Sequence, residues 1–172
     1  MKKIILSGYM GSGKSTVAKL LHQRTGLPLI DLDAAIENKM RLSIADLFAQ
    51  RGEIFFRKIE HETLREILNT ENSFVLSLGG GTPCYANNHE LLKADGIDWI
   101  YLKASPETLY KRIIADTTER PLFAGKSAAE LEAFIAPHVF ERSFFYNQAK
   151  YKITTDGKTP DDIATEIIKI LA

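Results

Sequence analysis

A single cysteine, Cys84, stands in 172 residues. One thiol cannot close an intramolecular disulfide, so the chain does not rely on covalent staples and suits a reducing compartment. Neither sign of charge prevails: Lys and Arg total 22, Asp and Glu total 22, and the formal net charge is +0. No global field therefore draws the chain to nucleic acid or to an anionic membrane. Positive charge that serves an anionic ligand has to be gathered locally. No apolar run approaches the ~20 residues that span a bilayer, and Met1 is followed almost at once by a strand-like segment, with no room for a leader. The expectation is a cytoplasmic monomer without nucleic-acid or membrane partners. Repeats, low-complexity tracts and linkers are missing as well. The four histidines, His22, His61, His89 and His138, show no metal-ligand spacing and read as surface or packing residues.

What is present is an ordinary globular composition, 45% hydrophobic and 26% charged, enough for one domain with a real core. Short apolar segments alternate with helical patterns. The strand candidates are residues 2–7, 27–33, 74–78, 99–103 and 151–155. The helical patterns are 34–39, 43–49, 53–68, 87–94, 106–115, 128–147 and 160–171, the last with Thr159 as N-cap and Pro160 at its first position. This alternation predicts an α/β fold: a five-stranded, mostly parallel sheet with helices on both faces. Ligands then belong at the C-terminal strand ends.

Residues Gly8-Tyr9-Met10-Gly11-Ser12-Gly13-Lys14-Ser15, followed by Thr16, form a complete G-x-x-x-x-G-K-[ST] phosphate loop between a strand and a helix. Its glycines turn backbone N–H groups toward phosphate oxygens, and the following helix presents its positive end to them. Lys14 can reach the β- and γ-phosphates, and the Ser15 hydroxyl can ligate Mg²⁺. Four further constellations sit at the other loops. Asp31-Leu32-Asp33 ends the second strand; extended backbone puts both carboxylates on one side, one toward a cation and the other toward a hydroxyl, while Asp33 as a helix N-cap is the structural alternative. Arg57 and Glu60 are three apart on a helix beside Phe48, Phe55 and Phe56, which suggests a guanidinium held in a partly apolar wall to grip a small carboxylate. Gly79-Gly80-Gly81 lets backbone approach a ligand. Arg120-Pro121-Leu122 lies in an aperiodic stretch that reads as a mobile lid, about 113–127, and Arg142 sits on an aromatic-rich helix. Cys84 reads as a small apolar filler.

Taken together these motifs resemble the shikimate kinases, in the nucleoside-monophosphate-kinase-like branch of P-loop proteins, over essentially the whole length. The motifs that carry the likeness are the phosphate loop, Asp31-Leu32-Asp33, Gly52-Glu53 with Phe56-Arg57 and Glu60, Leu78-Gly79-Gly80-Gly81, Arg120-Pro121-Leu122, and Arg142 with Tyr146 and Ala149. The resemblance implies transfer of phosphate from ATP to the 3-hydroxyl of shikimate, a step of chorismate and aromatic amino acid biosynthesis. It implies a shikimate site of Asp33, Arg57, Gly79, Gly80, Gly81 and Arg142, with both arginines on the carboxylate. Nucleotide contacts would come from Gly11, Ser12, Gly13, Lys14, Ser15, Thr16 and Arg120, with Arg112, Lys158 and Pro160 around the adenine. Ser15 and Asp31 would hold Mg²⁺, and Lys14, Asp33 and Arg120 would be catalytic. A gluconate or nucleoside-monophosphate kinase is the competing enzyme; the Asp33, Arg57 and Arg142 set argues against it. A guanine-nucleotide switch would need Asn-Lys-x-Asp, and Asn38-Lys39-Met40 is followed by Arg41.

Overall fold

The computed structural model describes residues 1–116, Phe123 and 125–172. Five strands, β1 (Lys3–Ser7), β2 (Leu29–Asp31), β3 (Phe74–Ser77), β4 (Ile97–Lys103) and β5 (Tyr151–Thr154), form one sheet in the order β2-β3-β1-β4-β5. Every pairing is parallel. Such strands are covered on both faces, and β1 and β4 divide their side chains accordingly. Ile4, Leu6, Ile100 and Leu102 face one apolar layer with Val17, Leu21, Ile163 and Ile167. Ile5, Trp99 and Tyr101 face the other with Leu32, Leu47, Phe56 and Tyr146. The first layer lies under α1 (Lys14–Thr25) and α7 (Pro160–Ile170). The second lies under α2 (Leu32–Met40), α3 (Ile44–Leu68), α5 (Pro106–Ala115) and α6 (Ala128–Tyr146), and the short α4 (Asn88–Leu92) adds Leu92 to it. No helix among the described residues is long and apolar enough to cross a membrane.

Local signals explain most boundaries. Ser43, Ser105 and Ser127 each accept a backbone N–H of the first turn that follows. Thr159 forms a capping box with Asp162, with Pro160 at the first helical position, as expected from sequence. The patterns at 43–49 and 53–68 merge into α3 across a bend at Gly52, whose φ of 81° and ψ of 172° are non-helical.

Three expectations need correction. The second strand stops at Asp31, not Asp33, because Asp31 is itself the N-cap of α2 and accepts the Ala34 N–H at 2.9 Å. Asp33 is therefore a first-turn residue, neither a strand residue nor the cap. The helical pattern at 87–94 is shorter in space, preceded by a 3₁₀ turn at Thr82–Cys84 and two left-handed residues, Ala86 and Asn87. The stretch 113–115, expected as the beginning of an aperiodic lid, belongs to α5, which runs to Ala115, and Ile113 is buried in the core. Residues 117–122 and 124, Arg120 among them, lie outside the described residues.

Candidate active site

β1 is the central strand, with β3 on one side and β4 on the other, so the loop after β1 opens at the point where the chain switches direction across the sheet. A cavity of about 930 Å³ lies there. Gly11, Gly13, Lys14, Ser15 and Thr16 of the phosphate loop line it together with Asp31 and Asp33, with Phe48, Phe56 and Arg57, with Gly79, Gly80 and Gly81, and with Arg142.

The phosphate loop is held tightly. Gly11 and Gly13 have φ of 84° and 95°, the left-handed region that glycine enters without a steric penalty. A Cβ on Gly8 would approach Ser12 Oγ to 2.6 Å and the Leu102 carbonyl to 2.7 Å, so the first glycine of the motif is required by crowding. The Lys14 ammonium donates to the carbonyls of Gly8 and, at 3.1 Å, Tyr9. From α5, Arg112 reaches the loop's outer side and donates to the Gly11 and Ser12 carbonyls, both at 3.3 Å, and to Thr155 Oγ1 at 3.4 Å. Arg112 thus lines the cavity. Lys158 and Pro160 do not: Lys158 is paired with Glu166 at 2.6 Å, and Pro160 starts α7.

A second group of lining residues is built around two guanidiniums. Arg57 Nη1 donates to Glu60 Oε1 at 3.0 Å, and Glu60, almost wholly buried, accepts Thr82 Oγ1 at 2.9 Å through its other oxygen. Arg142 is 6% exposed, and its Nη1 has no hydrogen-bond partner among the described residues. Arg57 Nε is likewise buried without one, though Glu53 lies 3.6 Å away. Buried guanidinium N–H groups are costly when unmatched, and an anionic ligand would satisfy them. Phe48 and Phe56 pack together at 4.6 Å beside Arg57, as the apolar-wall reading expected. Phe55 instead packs against Arg51 at 3.9 Å.

The three glycines after β3 serve these side chains directly. A Cβ on Gly81 would meet Arg57 Nη2 at 2.8 Å; on Gly80, Arg142 Nη1 at 3.3 Å; on Gly79, Asp33 Oδ1 at 3.2 Å. A side chain at Gly81 would displace Arg57, and one at Gly79 or Gly80 would press on Asp33 or Arg142. Tyr146, buried and stacked on Tyr101 at 5.0 Å, donates its hydroxyl to the Gly80 carbonyl and fixes the loop from behind.

The carboxyl of Asp33 is strongly perturbed. Burial, with the negative charges of Asp31, Glu60 and Glu37, pushes its pKa from 3.8 up to about 6, against the pull of Lys14. Cys84 stays a thiol, its pKa raised to about 11, first by burial. One residue read as packing is in the site. His138 lines the cavity, sits 3.0 Å from the Tyr9 hydroxyl through Nδ1, and has its pKa pushed down to about 4 by burial and by Arg142. It is a neutral ring beside a cation. Met10 and Tyr85 also line the cavity; only their contacts in space reveal them.

Comparison with known proteins matches this geometry. The shikimate kinase family model covers residues 10–172. The shikimate kinase of Flavobacterium johnsoniae is 50% identical over the full length of both chains, and that of Flavobacterium psychrophilum 47% identical over 99% of each. Among solved structures, the shikimate kinase of Bacteroides thetaiotaomicron superposes with a TM-score of 0.90 at 33% identity, covering 99% of this chain and 98% of that one. The Acinetobacter baumannii enzyme, solved in complex with shikimate, gives 0.88 at 31% identity, covering 99% and 93%. A gluconokinase from Sinorhizobium meliloti reaches 0.62 at 16% identity, which is a likeness of fold alone. With the phosphate loop, the paired arginines and the glycine run in one cavity, and full-length relatives of this identity, the chain belongs to the shikimate kinase family.

Proposed function

We propose that this chain transfers the γ-phosphoryl group of ATP to the 3-hydroxyl of shikimate, giving shikimate 3-phosphate and ADP, with the residue roles that follow. The buried, unmatched Nη1 of Arg142 carries the reading, because it calls for an anion in this cavity beside the glycine run, distinct from the phosphates that the phosphate-loop amides and Lys14 would receive. Arg142 and Arg57 grip the shikimate carboxylate. Glu60 fixes Arg57, and Gly79, Gly80 and Gly81 leave room for the ring. The hydroxylated ring then lies with a hydroxyl toward Asp33, on the side of Lys14.

Phosphoryl transfer asks for in-line placement and neutralised charge more than for covalent chemistry. The amides of Gly11 to Thr16 and the Lys14 ammonium receive the phosphates, and Arg112 braces the loop from outside. Asp33 orients the attacking hydroxyl and takes its proton. Ser15 and Asp31 line the same cavity with oxygen donors only, which suits a small hard cation. They would hold Mg²⁺, which when bound offsets the charge on the phosphate oxygens. Asp31 caps α2 through one carboxylate oxygen, leaving the other for that task. Arg120, outside the described residues, keeps only the phosphate-contact role that the family resemblance suggests.

The reading is tested by ADP release with shikimate, gluconate and nucleoside monophosphates in parallel. Turnover with shikimate at least about 100-fold above the others is expected, since a site built for a charged group rejects ligands that leave that group unpaired. Equal turnover with gluconate overturns the assignment.

The raised pKa of Asp33 fixes a pH dependence. Below about pH 6 the free protein holds Asp33 protonated, without the acceptor that the hydroxyl needs. kcat/KM for shikimate should therefore fall about tenfold per pH unit below pH 6 and level off above it. The stability trend runs the other way: a folded pKa above the unfolded value means that the folded state binds more protons between about pH 4 and 6. The contribution of Asp33 to stability is thus lost as pH rises through that window. A flat kcat/KM profile from pH 5 to 7 would remove Asp33 from its role.

A further inference from the structure

A second cavity, of about 730 Å³, opens on the outer side of α3, lined by Glu53, Ile54, Arg57, Lys58, His61 and Tyr85 among others. It shares Glu53, Arg57 and Tyr85 with the active cavity. These three side chains form the partition between a space for substrate and a space open to water. Tyr85 is its aromatic part: the Arg57 Cζ lies 3.8 Å from the centre of the Tyr85 ring, while the Arg57 Nη atoms abut Gly81.

The Tyr85 segment is anchored in a way that fixes the ring. Asn88, fully buried, donates through Nδ2 to the Thr82 carbonyl at 2.9 Å and accepts His61 Nδ1 at 2.7 Å. One side chain thus ties the loop to its own start and to α3, the helix that carries Arg57. Between Tyr85 and Asn88 the backbone passes through two successive left-handed residues, Ala86 (φ 51°) and Asn87 (φ 55°). Alanine avoids that region unless its surroundings enforce it. The Thr82 hydroxyl of the same loop holds Glu60, which holds Arg57. The loop therefore grips Arg57 twice, by a hydrogen-bond relay and by an aromatic face.

We propose that Tyr85 is a positioning residue for the carboxylate-binding Arg57: its ring holds the guanidinium plane against the glycine loop and keeps water of the outer cavity away from the ion pair with substrate. The inference rests on the shikimate reading of the pocket. A guanidinium stacked on an aromatic ring loses little freedom on gripping a carboxylate, and a dry contact is stronger than a wet one.

The test is steady-state ADP release by wild type, Tyr85→Ala, Tyr85→Phe, Arg57→Ala and the Tyr85→Ala/Arg57→Ala double variant, with shikimate affinity from titration calorimetry where turnover is slow. Tyr85→Ala should raise the KM for shikimate about 3- to 30-fold, with kcat and the KM for ATP changed by less than about twofold. Tyr85→Phe keeps the ring face and should recover most of the loss. In the Arg57→Ala background, Tyr85→Ala should cost less than about twofold, because its route of action is gone. An unchanged shikimate KM in Tyr85→Ala, an equal shift in the KM for ATP, or a full additional loss without Arg57 each overturns the inference. A wild type inert toward shikimate overturns the functional reading instead, and Tyr85 with it.

Discussion

Lys14→Ala is expected to lower kcat by about 10³-fold or more while the protein stays folded. The ammonium lies at the entrance of the phosphate loop, within reach of its own carbonyls, those of Gly8 and Tyr9. Those contacts keep it poised and hydrogen-bonded. In the reaction its charge meets the phosphoryl oxygens as negative charge shifts toward the leaving group, where a preorganised donor acts most strongly. Removing one such donor typically costs about 10²–10³ in rate, and phosphoryl transfer, with little covalent assistance available, depends on charge more heavily. The fold is insulated from the change. The core under α1 is made by Val17, Ala18 and Leu21, which face the sheet, and not by the lysine. Thermal unfolding should thus shift little, and ADP release should all but vanish. Near wild-type turnover in folded Lys14→Ala would mean that ATP does not use this loop.

The sequence was most informative where chemistry requires contiguous residues. The phosphate loop is legible because backbone amides, lysine and hydroxyl have to come from one turn, and Thr159-Pro160 is legible because capping is local. What depends on sequence-distant neighbours was hidden. Asp31 and Asp33 read as two acids of one strand with Asp33 as the possible cap, and the early start of α2 reverses that local reading, with Asp31 as the cap and Asp33 as a buried acid. The glycine run suggested backbone approaching a ligand. The reason visible in space is that Arg57 blocks a Cβ on Gly81, while Asp33 and Arg142 crowd those on Gly79 and Gly80. His138 gave no signal because its partners, Tyr9 and Arg142, are respectively far away and on its own helix without any motif. Tyr85 gave none because its value lies in a ring face turned to Arg57 from a loop with two left-handed residues. Periodicity describes regular elements and is silent on such a turn.

The pairing of Arg57 with Arg142 leads to the second large effect. Two guanidiniums at adjacent glycines of one loop repel each other in a closed cavity unless an anion lies between them. Glu60 already answers part of the charge of Arg57, whereas Arg142 Nη1 has no such partner. The two should therefore differ in degree and agree in kind. Replacing either by alanine should lower kcat/KM for shikimate by about 30- to 1000-fold, the cost of one buried charge-assisted contact of about 2–4 kcal/mol. Arg142→Ala should lie toward the larger end. Arg57→Lys keeps the charge but not the two-pronged geometry, and should recover only a part. The chemical counterpart is shikimate with its carboxylate replaced by a neutral amide. It should be a poor substrate for the wild type and lose far less on either arginine replacement, because the contact is already missing. Measuring both substrates on wild type and both variants closes a cycle in which the coupling is read directly. Losses that simply add, substrate change upon side-chain change, would show that these arginines do not hold the carboxylate, and the anion demanded by Arg142 would have to be sought elsewhere in the ligand.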